Sequence, residues 1–126
     1  MWVFSPYFAV YLKFQMIAII TLIELKNPLK FFALSYNALQ IIKQMKSTAV
    51  VEYKSTGLWT THYTMSLWNN KEDMQTFARS GAHLEAMKQS AKLAKIIKTL
   101  SIESATLPDW KTAKQRIQKE GKSLTY

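Results

Sequence analysis

The stretch Thr61-His62-Tyr63-Thr64-Met65-Ser66-Leu67-Trp68-Asn69-Asn70-Lys71-Glu72-Asp73 decides how this chain is read. Successive side chains of a strand point to opposite faces. His62, Thr64, Ser66 and Trp68 therefore share one face, and Thr61, Tyr63, Met65 and Leu67 share the other. One face is the more polar and ends in an indole; the other is largely apolar. A sheet with helices on one side only has this pattern. Asn69 or Asn70 then offers a side-chain oxygen to cap a helix, and Glu72 and Asp73 put negative charge in its first turn, where the helix dipole favours it.

Reading outward from that junction gives the remaining elements. Upstream, Thr48 to Lys54 reads as a strand, Ser55 to Leu58 as a turn around Gly57, and Trp59 to Trp68 as the antiparallel partner. Further back, Asn27 and Pro28 supply an N-cap and a first-turn proline. They open a helix to about Lys46 that turns Phe31, Leu34, Ala38, Ile41 or Ile42, and Met45 inward. Before it, Ile17 to Lys26 is rich in β-branched residues, as a buried strand should be.

Downstream, the helix begun at the Asn cap runs to about Ala94. Met74, Phe77, Ala78, Leu84, Met87 and Ala91 form its expected inner face, and Gly81 marks a break or a close approach midway. Ile96 to Ser104 is a fourth strand, and Thr106-Leu107-Pro108-Asp109 opens a last helix through about Lys119. The order is that of a ferredoxin-like α+β fold, a split βαβ unit with a four-stranded antiparallel sheet. Helices on one face leave the other uncovered, and pairing two such sheets about a two-fold axis would cover it, giving a homodimeric α+β barrel. The expected division is an apolar arm over residues 1–16, the domain over 17–121, and a loose tail over 122–126.

Composition narrows the function classes. A chain of 126 residues builds one core and not two. Without cysteine there are no disulfides, thiolate metal sites or thiol nucleophiles. The net charge of +9 suggests polyanions, yet Arg79 and Arg116 are the only arginines among seventeen basic residues, and the lysines are spread from Lys13 to Lys122. Planar two-pronged contacts to bases or phosphates are therefore scarce, and no nucleic-acid partner is expected. The apolar runs Trp2 to Leu12 and Met16 to Ile23 together approach the length of a membrane span. Lys13, Gln15, Ser5, Pro6 and Glu24 interrupt or bound them, and no basic leader with a cleavage site precedes them. Membrane association is not expected, and the cytoplasm is the expected compartment.

A resemblance adds to this reading. Thr64-Met65-Ser66-Leu67-Trp68-Asn69-Asn70-Lys71-Glu72, then Phe77-Ala78-Arg79-Ser80-Gly81-Ala82-His83, then Leu107-Pro108-Asp109-Trp110 resembles a pattern of the antibiotic-biosynthesis-monooxygenase superfamily of dimeric α+β barrels. The branch it looks like includes spheroidene monooxygenase and uncharacterised bacterial proteins. The likeness covers roughly residues 17–115. It implies a small apolar or aromatic ligand, or a porphyrin, held between the sheet and the second helix. The activity it implies is a monooxygenase acting on a small aromatic or polyene substrate; a non-catalytic small-ligand or interaction protein of the same fold is the alternative.

Carried over by motif, the catalytic candidates are His83, Trp68 and Arg79, and the ligand-binding candidates are Tyr63, Ser66, Phe77 and Met87. Trp68 offers a stacking surface and one N–H donor. His83 could act as a base near neutral pH or as an axial ligand to heme iron. Arg79 could hold a phenolate or a propionate. Each has a structural rival: Trp68 as filler of the barrel, His83 as a packing residue, Arg79 as a solvated helix residue. Heme is the one cofactor the resemblance raises. The asparagine that heme-degrading members carry on the first strand has no counterpart within Ile17 to Lys26. Other chemistries find no support in the sequence. Three glycines give no phosphate loop, two histidines and eight scattered acids give no metal cluster, and no Ser-His-Asp set follows from spacing.

Overall fold

The computed structural model describes residues 16–46 and 48–126. The expected apolar arm, Trp2 to Phe14, lies outside them. Strand β1 (Ile17–Leu25) is followed by a short 3-10 turn (Pro28–Lys30) and helix α1 (Phe31–Met45). A hairpin of β2 (Val50–Leu58) and β3 (Thr61–Trp68) comes next. Helices α2 (Lys71–Ala78) and α3 (Gly81–Leu93) then lead to β4 (Ala94–Glu103), α4 (Trp110–Glu120) and β5 (Lys122–Thr125). The sheet is antiparallel throughout, in the order β2-β3-β1-β4-β5. Its first four strands have the expected ferredoxin-like arrangement, with β1 in the middle because it is the most apolar.

The junction read first is built as its residues dictate. The Asn70 side chain accepts the Asp73 N–H at 2.8 Å, so β3 turns into α2 without leaving that amide unpaired. At the other helix start, Asn27 accepts from the Leu29 N–H and Pro28 occupies the first position.

Four expectations are corrected. The hairpin turn is Trp59-Thr60, not Ser55 to Leu58, because Leu58 already pairs with Thr61. Gly57 lies inside β2 for a packing reason: a Cβ there would come within 2.1 Å of the His62 ring nitrogen Nδ1, so glycine makes room for the imidazole opposite. Trp59 takes the positive φ of 59° at the loop's first position, where two-residue hairpin loops favour glycine.

The second correction concerns the helix from 71 to 94. It is two helices, because Arg79 and Ser80 leave the helical path and Gly81 takes a φ of +57°. The break resets the helical phase, so α3 turns His83, Ala86, Ser90 and Leu93 toward the sheet, with Met87 at the margin. Leu84 and Ala91, expected inside, are exposed.

Third, residues 122–125 are not a loose tail. They form β5, whose Leu124 and Ser123 pair with Ile97 and Lys98 of β4.

The fourth correction bears on the dimer argument. The sheet has five strands, and α4 covers part of its second face. Ala113 and Ile117, both fully buried, pack against Ile20, Leu22 and Met65, with Leu100, Ile102, Leu107 and Trp110 around them. A thin apolar stripe on an otherwise charged helix is enough to dock it. The second face is thus not bare, and a partner is not needed to cover this part of it.

Candidate functional site

Between the first face of the sheet and the helices α1, α2 and α3 lies a cavity of about 420 Å³. That is within the usual range for small-molecule sites. Its floor comes from alternate residues of the strands. Thr64, Thr21 and Thr99 stand side by side across β3, β1 and β4, and Ser66 and Ser101 flank Ile19 in the next row. Tyr53 of β2 sits opposite Ser66 and also lines the space. The roof is largely apolar, from Leu34, Ala38 and Ile41 of α1 and Ala86 and Met87 of α3, with Asn37 and Ser90 as its polar side chains. Leu124 and Tyr126 line it from β5 and the residue after it, and the Tyr126 hydroxyl lies 3.3 Å from Ser90 Oγ. No Asp, Glu, Lys or Arg is among the described residues that line it.

At one end three rings follow one another. Trp68 is 5.1 Å from Phe77, and Phe77 is 5.0 Å from His83, centre to centre. Trp68 is 1% exposed, and its indole N–H donates to Ser66 Oγ at 2.9 Å. That bond satisfies the one polar atom of a buried ring. The strand alternation that put Ser66 and Trp68 on one face is the reason they can meet.

His83 is the chemically distinctive member. Its Nδ1 is 3.0 Å from the Ala78 carbonyl oxygen. A carbonyl can only accept, so Nδ1 carries the proton and Nε2 presents a lone pair. Nε2 has no hydrogen-bond partner among the described residues. Burial holds the imidazole below its ordinary value near 6.5, outweighing the opposite pull of the bond to Ala78. Burial thus favours the neutral ring, with its basic nitrogen unused among the described residues.

The α2–α3 break is held by Gln44 of α1. Its Oε1 accepts the His83 backbone N–H at 2.9 Å, and its Nε2 donates to the carbonyls of Ser80 at 2.9 Å and Phe77 at 3.3 Å.

Of the residues expected from sequence, Trp68, His83, Phe77, Ser66 and Met87 all line this cavity. Met87, 56% exposed, forms part of its mouth. Two do not belong. Tyr63 points to the second face, packed against the α4 core with the Lys114 ammonium 5.2 Å above its ring. The alternation of β3 separates it from Ser66 by a whole sheet. Arg79 is exposed and lines no part of the cavity; α2 ends at Ala78, and Arg79 follows the chain outward as its C-cap residue. Besides Asn37, Ser90 and Tyr126, the sequence reading missed the sheet residues Tyr53, Thr21, Thr64, Thr99 and Ser101. Thr64 stood on the expected face with Ser66. The others required the strand register, which periodicity alone does not give.

The fit to heme is partial. His83 Nε2 is a suitable axial donor. A porphyrin also brings two carboxylates, and among the described residues the cavity lining holds no Lys or Arg to meet them, Arg79 lying outside.

No protein-family model and no curated protein sequence matches the chain. Solved structures do. SnoaB from Streptomyces nogalater, described as a cofactor-independent oxygenase and solved as a point mutant, superposes with a TM-score of 0.56 at 11% identity over 75% of this chain and 99% of its own. A dimeric protein of ferredoxin-like fold from Bacteroides fragilis gives 0.59 at 17% identity over 71% and 96%. A conserved protein from Methanosarcina mazei gives 0.66 at 11% identity over 75% and 98%. The chain shares the ferredoxin-like fold of these proteins. At such identities the likeness is one of fold, and activity has to be argued from the site. Among the described residues, no helix is long and apolar enough to cross a membrane.

Proposed function

We propose that this monooxygenase-type fold binds a small, neutral, largely apolar aromatic molecule and oxidises it with dioxygen, without a cofactor. The observation that carries the reading is the unpartnered Nε2 of a neutral His83 at the end of the Trp68–Phe77 stack, in a cavity whose described lining holds no charged side chain. An oxygenation with no cofactor needs electrons from the substrate itself. A phenol gives them up more readily once deprotonated, so the site must chiefly supply a base, and His83 is placed to be one. Dioxygen then adds one atom at an activated ring CH2 carbon; the carbon becomes a carbonyl, both of its hydrogens leave, and the second oxygen departs as water.

The apolar roof and the ring stack would hold the aromatic body, and the threonine and serine hydroxyls of the floor would meet its oxygens. A carboxylate would be costly to bury here, since no Lys or Arg in the described lining offsets its charge. A homodimer is part of the proposal; the dimeric Bacteroides fragilis protein of like fold supports it.

The test is an oxygen-electrode screen of hydroxylated polycyclic aromatics with an activated CH2 group, followed by labelled-dioxygen mass spectrometry, with His83→Ala alongside. The reading expects uptake that depends on His83 and one labelled oxygen in the product. Saturable binding without uptake would leave a ligand-binding protein, and neither binding nor uptake would remove the proposal.

A further inference from the structure

The imidazole of His83 owes its tautomer to a bond across a helix break, and a side chain from a third helix bonds to both sides of that break. Ala78, whose carbonyl receives the Nδ1 proton, is the last residue of α2; His83 itself is in the first turn of α3. The two helices are joined by Arg79 and Ser80, and Ser80 bridges them locally, bonding to the Phe77 and Thr76 carbonyls on one side and accepting the Leu84 N–H on the other. A second tie comes from a third helix. The Gln44 amide reaches in from α1, accepting from the His83 N–H with its oxygen and donating to the Ser80 and Phe77 carbonyls with its nitrogen.

Gly81 makes this approach feasible. A Cβ at that position would lie 3.0 Å from Gln44 Cδ and 3.1 Å from each of its polar atoms. With a φ of +57°, glycine is also the residue best able to adopt the backbone required.

We propose that Gln44 is a positioning residue: by bridging the end of α2 to the start of α3, it holds His83 in the Nδ1–H tautomer with Nε2 directed at the ligand. The proposal rests on the reading of His83 as the working group of the cavity. Either amide atom alone would pin one helix to α1. Acceptor and donor together tie both helices to the same group, which is what a fixed Nδ1-to-Ala78 distance requires. A glutamate in its place could keep the bond to the His83 N–H, but not the bonds to the two carbonyls, since an ionised carboxylate only accepts. The other titratable groups lining the cavity are Tyr53 and Tyr126; no carboxylate or ammonium among the described residues does so.

The experiment reads the imidazole directly and needs no substrate. Long-range nitrogen–proton NMR spectra of the full chain report the tautomer of His83 and its titration, in the native protein and in Gln44→Ala, Gln44→Glu and Gly81→Ala. Circular dichroism identifies the variants that are folded. The native protein should show one dominant tautomer, with Nε2 unprotonated. In folded Gln44→Ala the ratio of tautomers should fall by roughly tenfold, about the net effect of one lost hydrogen bond, and the titration should move toward that of a free imidazole. Gly81→Ala, which pushes against the amide, should shift both readouts the same way while Gln44 is intact. If Gln44→Ala does not fold, Gln44→Glu and Gly81→Ala carry the test.

Unchanged tautomer and titration in any folded member of the set would make Gln44 a purely structural tie and overturn the proposal. A failed search for turnover, by contrast, would sink the oxygenase reading and leave these spectra as they are.

Discussion

Ile117→Ala tests whether the last helix really occupies the second face of the sheet. Ile117 is fully buried on α4 against Ile20, Leu22 and Met65, with Ala113 one turn earlier as its fully buried companion on the helix. The substitution removes the side chain beyond Cβ. At about 0.8 kcal/mol for each buried methylene-sized group the transfer loss is roughly 2.4 kcal/mol. The sheet beneath is rigid and central, so the hole cannot close fully, and a cavity contribution brings the expected loss to about 3–4 kcal/mol. A domain of this size has on the order of 5–15 kcal/mol in all. The assay is urea unfolding followed by circular dichroism, with exposed Gln115→Ala on the same helix as control, expected within about 0.5 kcal/mol of the parent. A loss below about 1 kcal/mol for Ile117→Ala would mean that α4 is not docked where the structure puts it, and the second face would again be open to a partner.

Further outcomes follow from the same geometry. Arg79→Ala should leave stability within about 0.5 kcal/mol and ligand affinity unchanged, by urea titration and calorimetry; a clear loss of affinity would return Arg79 to the site. His83 has a lowered pKa in the folded state, so below its ordinary value near 6.5 the unfolded chain binds more protons than the folded one. Stability should be complete above that pH, decline as the pH falls below it, and level off once the folded imidazole is protonated too. His83→Gln should flatten that part of the profile, and an unaltered profile would show that the ring is not held neutral. Trp59→Gly should relieve about 1–2 kcal/mol of left-handed strain against roughly 0.5–1 kcal/mol of added chain entropy. Its melting temperature should therefore not fall, and a marked fall would reveal packing by an indole that is 72% exposed.

Much of the fold was legible because β1, β3 and the Asn70 junction each carry mutually consistent signals: branched residues, alternation, a cap and an acidic first turn. The break at Gly81 was visible as a glycine in a helix, but its consequence was not. Losing two residues of helical path rotates the face of α3, so His83 and Ala86 turn inward where Leu84 had been expected. Gly57 misled the placing of the turn because a glycine can mark a neighbour's bulk, here the His62 ring, as readily as a bend. β5 could not be foreseen from Lys122-Ser123-Leu124-Thr125, a short polar edge strand with one large apolar side chain. Docking of α4 turned on a stripe as narrow as Ala113 and Ile117.

For the site, Ser66 and Trp68 on one strand face and Phe77 and His83 on one segment were found together. Tyr53, Thr21, Thr99 and Ser101 belong to other strands, and they join the cavity only through cross-strand register. Tyr63 shows the reverse error: the alternation of its own strand already placed it on the opposite face from Ser66.

The most direct test of the account is a paired NMR titration with 1-naphthol and 1-naphthoate, following the His83 ring signals and the Trp68 indole N–H. The two ligands share a ring system and differ in charge. A neutral, apolar cavity ending in Trp68, Phe77 and a basic His83 Nε2 should bind the naphthol saturably and move both sets of signals. The carboxylate should bind at least roughly tenfold more weakly, because burying it unpaired costs more than about 1.4 kcal/mol. Equal binding of the two, or naphthol binding that leaves His83 and Trp68 unmoved, would contradict the account.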